Sequence, residues 1–252
     1  MVADFEIFSR DVVSVEDVAN ALGVRADSRR VKNSIHVLAQ LGWLRPLATR
    51  GAYEFLPARG GPYAGGDPLL EARAIRAKRP DFRLAVIGSG AAFLRGFAER
   101  PPRDYTVAVD RDQGGSIALA AAYTVVKTTA ERIADVPEFN GAPVSDATHL
   151  LIDAALWPSA CGDLRDATHW LRRSLESTDP ATTAAAGRRV GTAAAARMAY
   201  IAAKFDAPAV AAAVAATLPF RAKTFIGEAD APIIAHDARL GVDDHLGVAS
   251  LG

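Results

Sequence analysis

Between residues 25 and 50 the sequence carries Arg25, Ser28, Arg29, Arg30, Lys32, Asn33, His36, Gln40, Arg45 and Arg50, all able to donate hydrogen bonds. Six of these are Lys or Arg, set against one acid, Asp27, in a chain whose 29 basic and 29 acidic residues cancel. A cationic patch confined to one stretch of a neutral molecule suits contact with phosphates. The residue types also suit base edges, because arginine pairs bidentately with guanine and asparagine with adenine. At about 100° per residue, Arg29, Asn33, His36 and Gln40 fall on one helix face, flanked by Arg30 and Lys32. Val31, Ile35 and Leu38 fall on the opposite stripe, with Leu41 on its shoulder. Arg29, Asn33 and His36 are therefore expected at base edges, and Arg25, Arg30, Lys32 and Arg50 at phosphates or in the minor groove. The chemistry is non-covalent and its ligand is double-stranded DNA. The rival is a small helical domain whose solvated basic face serves protein–protein contact.

Positioning such a face takes a compact set of elements. Asp27 is placed to cap a helix from Ser28 to Leu41, which Gly42 stops. Upstream, Ser14 can cap Val15–Leu22, with Glu16 and Asp17 in the first turn, where the helix dipole favours acids. Val15, Val18, Ala19 and Leu22 form its apolar stripe and Gly23 ends it. Helix, short turn and donor-rich second helix make a helix-turn-helix pattern. Trp43-Leu44 and Tyr53-Glu54-Phe55, around a basic turn from Pro46 to Gly51, read as a hairpin, the wing of a winged helix. A short helix over Ala3–Phe8 completes the domain.

Other chemistries have weaker claims. Strand Phe82–Ile87, then Gly88-Ser89-Gly90 and a helix, resembles a dinucleotide-binding turn, with Asp110 after the next strand as the ribose-binding acid. Phe93 stands where a third glycine belongs, and a tight corner needs glycine for its backbone alone. Asp-Ala-Thr-His occurs at Asp146–His149 and again at Asp166–His169. An Asp and a His three apart could ligate a metal, but an acid at a helix start is ordinary capping. The single Cys161 allows no internal disulfide and no thiolate zinc cluster. No catalytic set, cofactor or metal is expected.

A chain of 252 residues, half of them hydrophobic, can bury one large core or a core plus a small domain. No apolar run approaches the ~20 residues of a membrane span, and no basic leader precedes Asp4 and Glu6, so a cytoplasmic protein without membrane contact is expected. Four glycines and two prolines in residues 57–66 mark a linker. The expected organisation is mixed α and β: a winged helix-turn-helix over residues 1–60 and a larger α+β domain over 67–252. In the latter, Asp67-Pro68 opens a helix to Lys78, strands cover Tyr105–Val109 and Ala121–Thr128, and Asn140-Gly141 is a turn. Helices follow from Asp146 to Leu156 and over Leu164–Leu175. Half of the residues from Ala184 to Thr217 are alanine, which favours close-packed helices. One carries the stripe Met198, Ile201, Phe205, and Asp206 caps the next. Strands are expected near Lys223–Ile226 and at His245–Ala249.

Gly42-Trp43-Leu44 and Gly51-Ala52-Tyr53-Glu54-Phe55 in the wing, with Asp67-Pro68-Leu69, Gly90-Ala91-Ala92 and Gly96, carry a family resemblance. So do Pro143-Val144-Ser145 leading into Leu150–Ala155 and Pro158, the Arg197–Ile201 segment, and Asp244–Val248. Together these resemble the AbiEi-family antitoxins of type IV toxin-antitoxin systems, over nearly the whole chain. The resemblance implies a bifunctional repressor. Its N-terminal domain would bind inverted repeats at its own promoter, and its C-terminal domain would counteract a nucleotidyltransferase-type toxin. The basic wing is short for that family, and the acidic C-terminal tail matches no role in it. The alternative reading is a ligand-responsive winged-helix regulator whose C-terminal domain binds a small metabolite.

Overall fold

A computed structural model describes residues 2–7, 11–56, 66–162 and 164–251, apart from the side chains of residues 4, 7, 165 and 166. The fold is mixed α and β, in two units. The first comprises Met1–Arg83, Gln113–Thr124 and Asn140–Ala142, and the second comprises Leu84–Asp112, Val125–Phe139 and Pro143–Gly252.

In the first unit the order is α1 (Val2–Ile7), β1 (Val12–Ser14), α2 (Val15–Leu22), α3 (Arg29–Gln40), β2 (Leu44–Pro46), β3 (Ala52–Phe55) and α4 (Leu70–Lys78). The hairpin β2–β3 pairs Leu44 with Phe55 and Pro46 with Tyr53. A third strand, β1, lies antiparallel on the other side of β3 and pairs Val13 with Tyr53. It is too short for alternation to reveal. Ser14 ends β1 and caps α2 in a reciprocal capping box with Asp17. Gly23 then turns out at φ +63°, a left-handed conformation that suits glycine at a helix end. Val13, Val18, Val31, Ile35, Leu38, Leu44 and Phe55 close the core. Phe5 meets the Phe55 ring edge-on at 5.7 Å, and Trp43 stacks on it at 6.1 Å. Leu41 does not join this core: it is 67% exposed, because α3 ends one residue before it.

The linker expected over residues 57–66 lies outside the described residues except for Gly66. Helix α4, which the sequence assigns to the second domain, belongs to the first unit. Its Leu70, Ala72, Ala74 and Ile75 are buried, and it packs on β1 and β3. Its Glu71 carboxylate accepts from the Ala48 and Thr49 amides, at 2.5 and 3.1 Å, and from the Thr49 hydroxyl at 2.9 Å. The boundary of the first unit therefore does not fall at the glycine-rich stretch. The helix Ile117–Ala122, capped by Ser116, also belongs here; the expected strand from Ala121 starts only at Thr124, because the β-branched run that marks it follows the helix directly. Because Glu71 satisfies three donors of the hairpin turn, Glu71→Ala should cost about 2 kcal/mol. The expected readout is a lower thermal midpoint of the full chain, with Glu71→Gln falling between variant and parent.

In the second unit Leu84–Ile87 runs antiparallel to Thr106–Asp110, with Thr124–Thr128 as third strand. The Ala147–Leu156 helix is buried along Thr148–Ala155 and contacts helices Leu164–Glu176, Pro180–Val190 and Thr192–Lys204. Met198, Ile201 and Phe205 are buried as the stripe requires. Asp206 does not cap the next helix. It sits at φ +61°, Ala207 takes the cap position of Pro208–Ala215, and the Asp206 carboxylate meets Arg172 at 3.4 Å. A small second sheet sets Val242–Asp244 between Thr224–Ile226 and Ala235–Asp237. No strand forms over His245–Ala249. The fully buried Asp244 accepts from the Leu246, Gly247 and Ala249 amides at 3.0, 2.8 and 2.8 Å, which commits those donors to a turn.

Candidate nucleic-acid interface

Helix α3 presents its donors as its periodicity requires. Val31, Ile35 and Leu38 are buried, while Arg29, Arg30, Lys32, Asn33, His36 and Gln40 are exposed. Among the described residues none of those six exposed side chains is held by a partner, so each can turn to a ligand. Val37 is 49% exposed and sits one turn after Asn33, inside the donor face rather than in the core. A bare valine there offers an apolar contact of the kind a thymine methyl takes.

The helix begins one residue later than expected. Ser28, not Asp27, is the cap, and its hydroxyl oxygen accepts from the Val31 amide at 3.3 Å. Ser28 therefore holds the helix end. Asp27 instead receives Arg25 at 2.8 Å, both side chains well exposed. Such an exposed pair is weak and can open to release Arg25. Arg45 is more firmly engaged. Its guanidinium Nε donates to Glu54 at 2.7 Å, and Glu54 is 6% exposed. Arg45 thus neutralises a buried carboxylate across β2 and β3, while its own side chain stays half exposed.

The turn of the β2–β3 hairpin gains a cation that its own sequence lacks. Arg50 is exposed, and its carbonyl accepts from Lys78 Nζ of α4 at 2.5 Å. Lys78 thus adds charge beside Arg50. Arg73 pairs with Asp11 at 2.6 Å and with Asp67. In the first unit Arg25, Arg45 and Arg73 are thus paired with carboxylates, while the cations of α3 and Arg50 at the hairpin turn are exposed.

The residues suggesting other chemistries are accounted for by packing. A Cβ on Gly88 would lie 2.1 Å from the Ala160 carbonyl oxygen, and one on Gly90 would lie 2.6 Å from the Tyr105 ring. The Gly88 amide donates to the buried Asp153 carboxylate at 2.9 Å. The two strands flanking this corner are antiparallel, whereas a dinucleotide-binding turn joins parallel strands. Asp146 caps its helix and receives His149 Nδ1 at 2.7 Å, so this pair serves the helix start. In the second pair, the Asp166 side chain lies outside the described residues and His169 is exposed. Among the described residues no three His, Cys, Asp or Glu side chains are grouped to hold a metal ion. Cys161 is buried, and burial pushes its thiol pKa well up, with the Asp153 charge adding to the effect. Among the described residues no helix is long and apolar enough to cross a membrane.

No protein-family model and no curated protein matches the chain. The crystal structure of RV2827C protein from Mycobacterium tuberculosis is similar, with a TM-score of 0.73 at 22% identity. The superposition covers 99% of this chain and 91% of that one. The likeness is one of fold.

Proposed function

We propose that the first unit is a winged helix-turn-helix that binds double-stranded DNA through α3 and the Arg50–Lys78 wing tip. On this reading the protein is a transcriptional repressor and the antitoxin of a type IV toxin-antitoxin system. It represses its own operon at an inverted-repeat operator and counteracts a nucleotidyltransferase-type toxin. The observation that carries the DNA reading is the face of α3: six exposed donors with no described partner, backed by a buried apolar stripe. The antitoxin role rests on the sequence resemblance. Base edges fall to Arg29, Asn33 and His36, with Val37 beside them, and phosphates fall to Arg30, Lys32, Arg50 and Lys78.

The test separates the two roles in the full chain. Arg29→Ala with Lys32→Ala should derepress a reporter driven by the upstream promoter, yet still protect cells that express the adjacent toxin. Cells that die while the variant accumulates and stays folded would remove the antitoxin role. A ligand-responsive regulator is the second reading, favoured by a cavity of about 1030 Å³ in the second unit.

A further inference from the structure

We propose that this cavity binds a phosphate-bearing small molecule of nucleotide size. It lies wholly within the second unit, between the segment that follows the Gly88–Leu94 helix and one face of the Leu164–Glu176 helix. Its volume of about 1030 Å³ matches the upper end of small-molecule sites, roughly 300–1,000 Å³. Arg100 and Arg103 line it from the first segment, while His169 and Arg173, one helical turn apart, line it from the second. Glu99 is the only acid among the described lining residues. Arg103 pairs with Asp104 at 4.0 Å, both side chains exposed; Arg100 and Arg173 meet no described carboxylate.

Three guanidiniums around one concavity, two of them without a described carboxylate partner, focus a positive field into it. The planar fork of arginine matches phosphate oxygens bidentately. Uncharged metabolites have no use for such a rim. Phe97 and the largely buried Trp170 contribute apolar wall, which suits the ring of a nucleoside more than a bare inorganic anion. Ser89 of the Gly88–Gly90 corner lines the cavity, but the corner's first amide is already taken by Asp153. The cavity is separate from the DNA face proposed for α3, so the two can fail independently.

The experiment uses the full chain with ATP, tripolyphosphate and adenosine as probes, read by thermal shift and isothermal titration. ATP should raise the midpoint most, tripolyphosphate less, and adenosine not at all. Arg100→Ala with Arg173→Ala should weaken ATP binding at least about tenfold, as the loss of charge-assisted contacts predicts. Arg29→Ala with Lys32→Ala should leave it unchanged. Arg173→Glu provides a second variant and should abolish the shift. The proposal is overturned if millimolar ATP gives no shift, or if the Arg100/Arg173 variant binds as the parent does. It is equally overturned if binding is lost only in the α3 variant, which would place the anion on the DNA face.

Discussion

Gly88→Ala is expected to destabilise the protein by about 4 kcal/mol, combining a left-handed backbone that alanine resists with a steric clash. Gly88 sits at φ +62°, and the added Cβ would stand 2.1 Å from the Ala160 carbonyl oxygen and 2.5 Å from its carbon. Those are backbone atoms of the turn that ends in Cys161, so no side-chain rotation relieves them. Gly96 provides the comparison: its φ is +78°, but nothing lies within 4 Å of an added Cβ. Gly96→Ala should cost only about 1 kcal/mol, the conformational share alone. Urea denaturation of both variants checks the difference. Equal losses would mean that the Ala160 contact carries no weight.

The second large effect concerns Asp153. Burial raises its carboxyl pKa from 3.8 to about 7, against the lowering influence of the Gly88 amide that donates to it. The folded chain therefore holds a proton that the unfolded chain releases above about pH 4. Stability on this account is highest at low pH, falls between about pH 4 and 7, and levels off above. Asp153→Asn removes the titration while its amide oxygen can still accept from Gly88. At about 1.4 kcal/mol per pKa unit, the variant should gain on the parent by about 3 kcal/mol between pH 4.5 and pH 8. Chemical denaturation of both proteins at the two pH values measures that double difference. A gap that stays constant with pH would show that Asp153 does not titrate in this range.

The parts of the fold legible in the sequence are those with local causes. Ser14 with Asp17, Gly23 at its left-handed turn, and the stripe of Val31, Ile35 and Leu38 are each set by residues within about one helical turn. Asn140 and Gly141, at φ 48° and 79°, both take the positive values that their pairing in a tight turn signals. What sequence reasoning misses depends on distant partners. Strand β1 is defined only by its pairing with β3, and α4 joins the first unit through Glu71 and its buried face. Asp206 looks like a cap until its backbone turns left-handed beside Ala207. In the candidate site, the exposure of Arg29, Asn33 and His36 follows from helical period. The engagement of Arg45 by Glu54 has a local signal, since the two lie opposite each other in a hairpin. The arrival of Lys78 at the Arg50 turn has none.

Titration of the full chain against duplex DNA from upstream of its own reading frame, beside a scrambled duplex over a range of salt, tests the central claim most directly. The account predicts tighter binding to the upstream duplex and an affinity that falls steeply as salt rises. Arg29→Ala and Asn33→Ala should each lose about 1–3 kcal/mol on that duplex and little on the scrambled one. Lys32→Ala and Arg50→Ala should weaken both alike and flatten the salt dependence by about one unit each. Binding that is absent, or identical across all four variants and both duplexes, would contradict it.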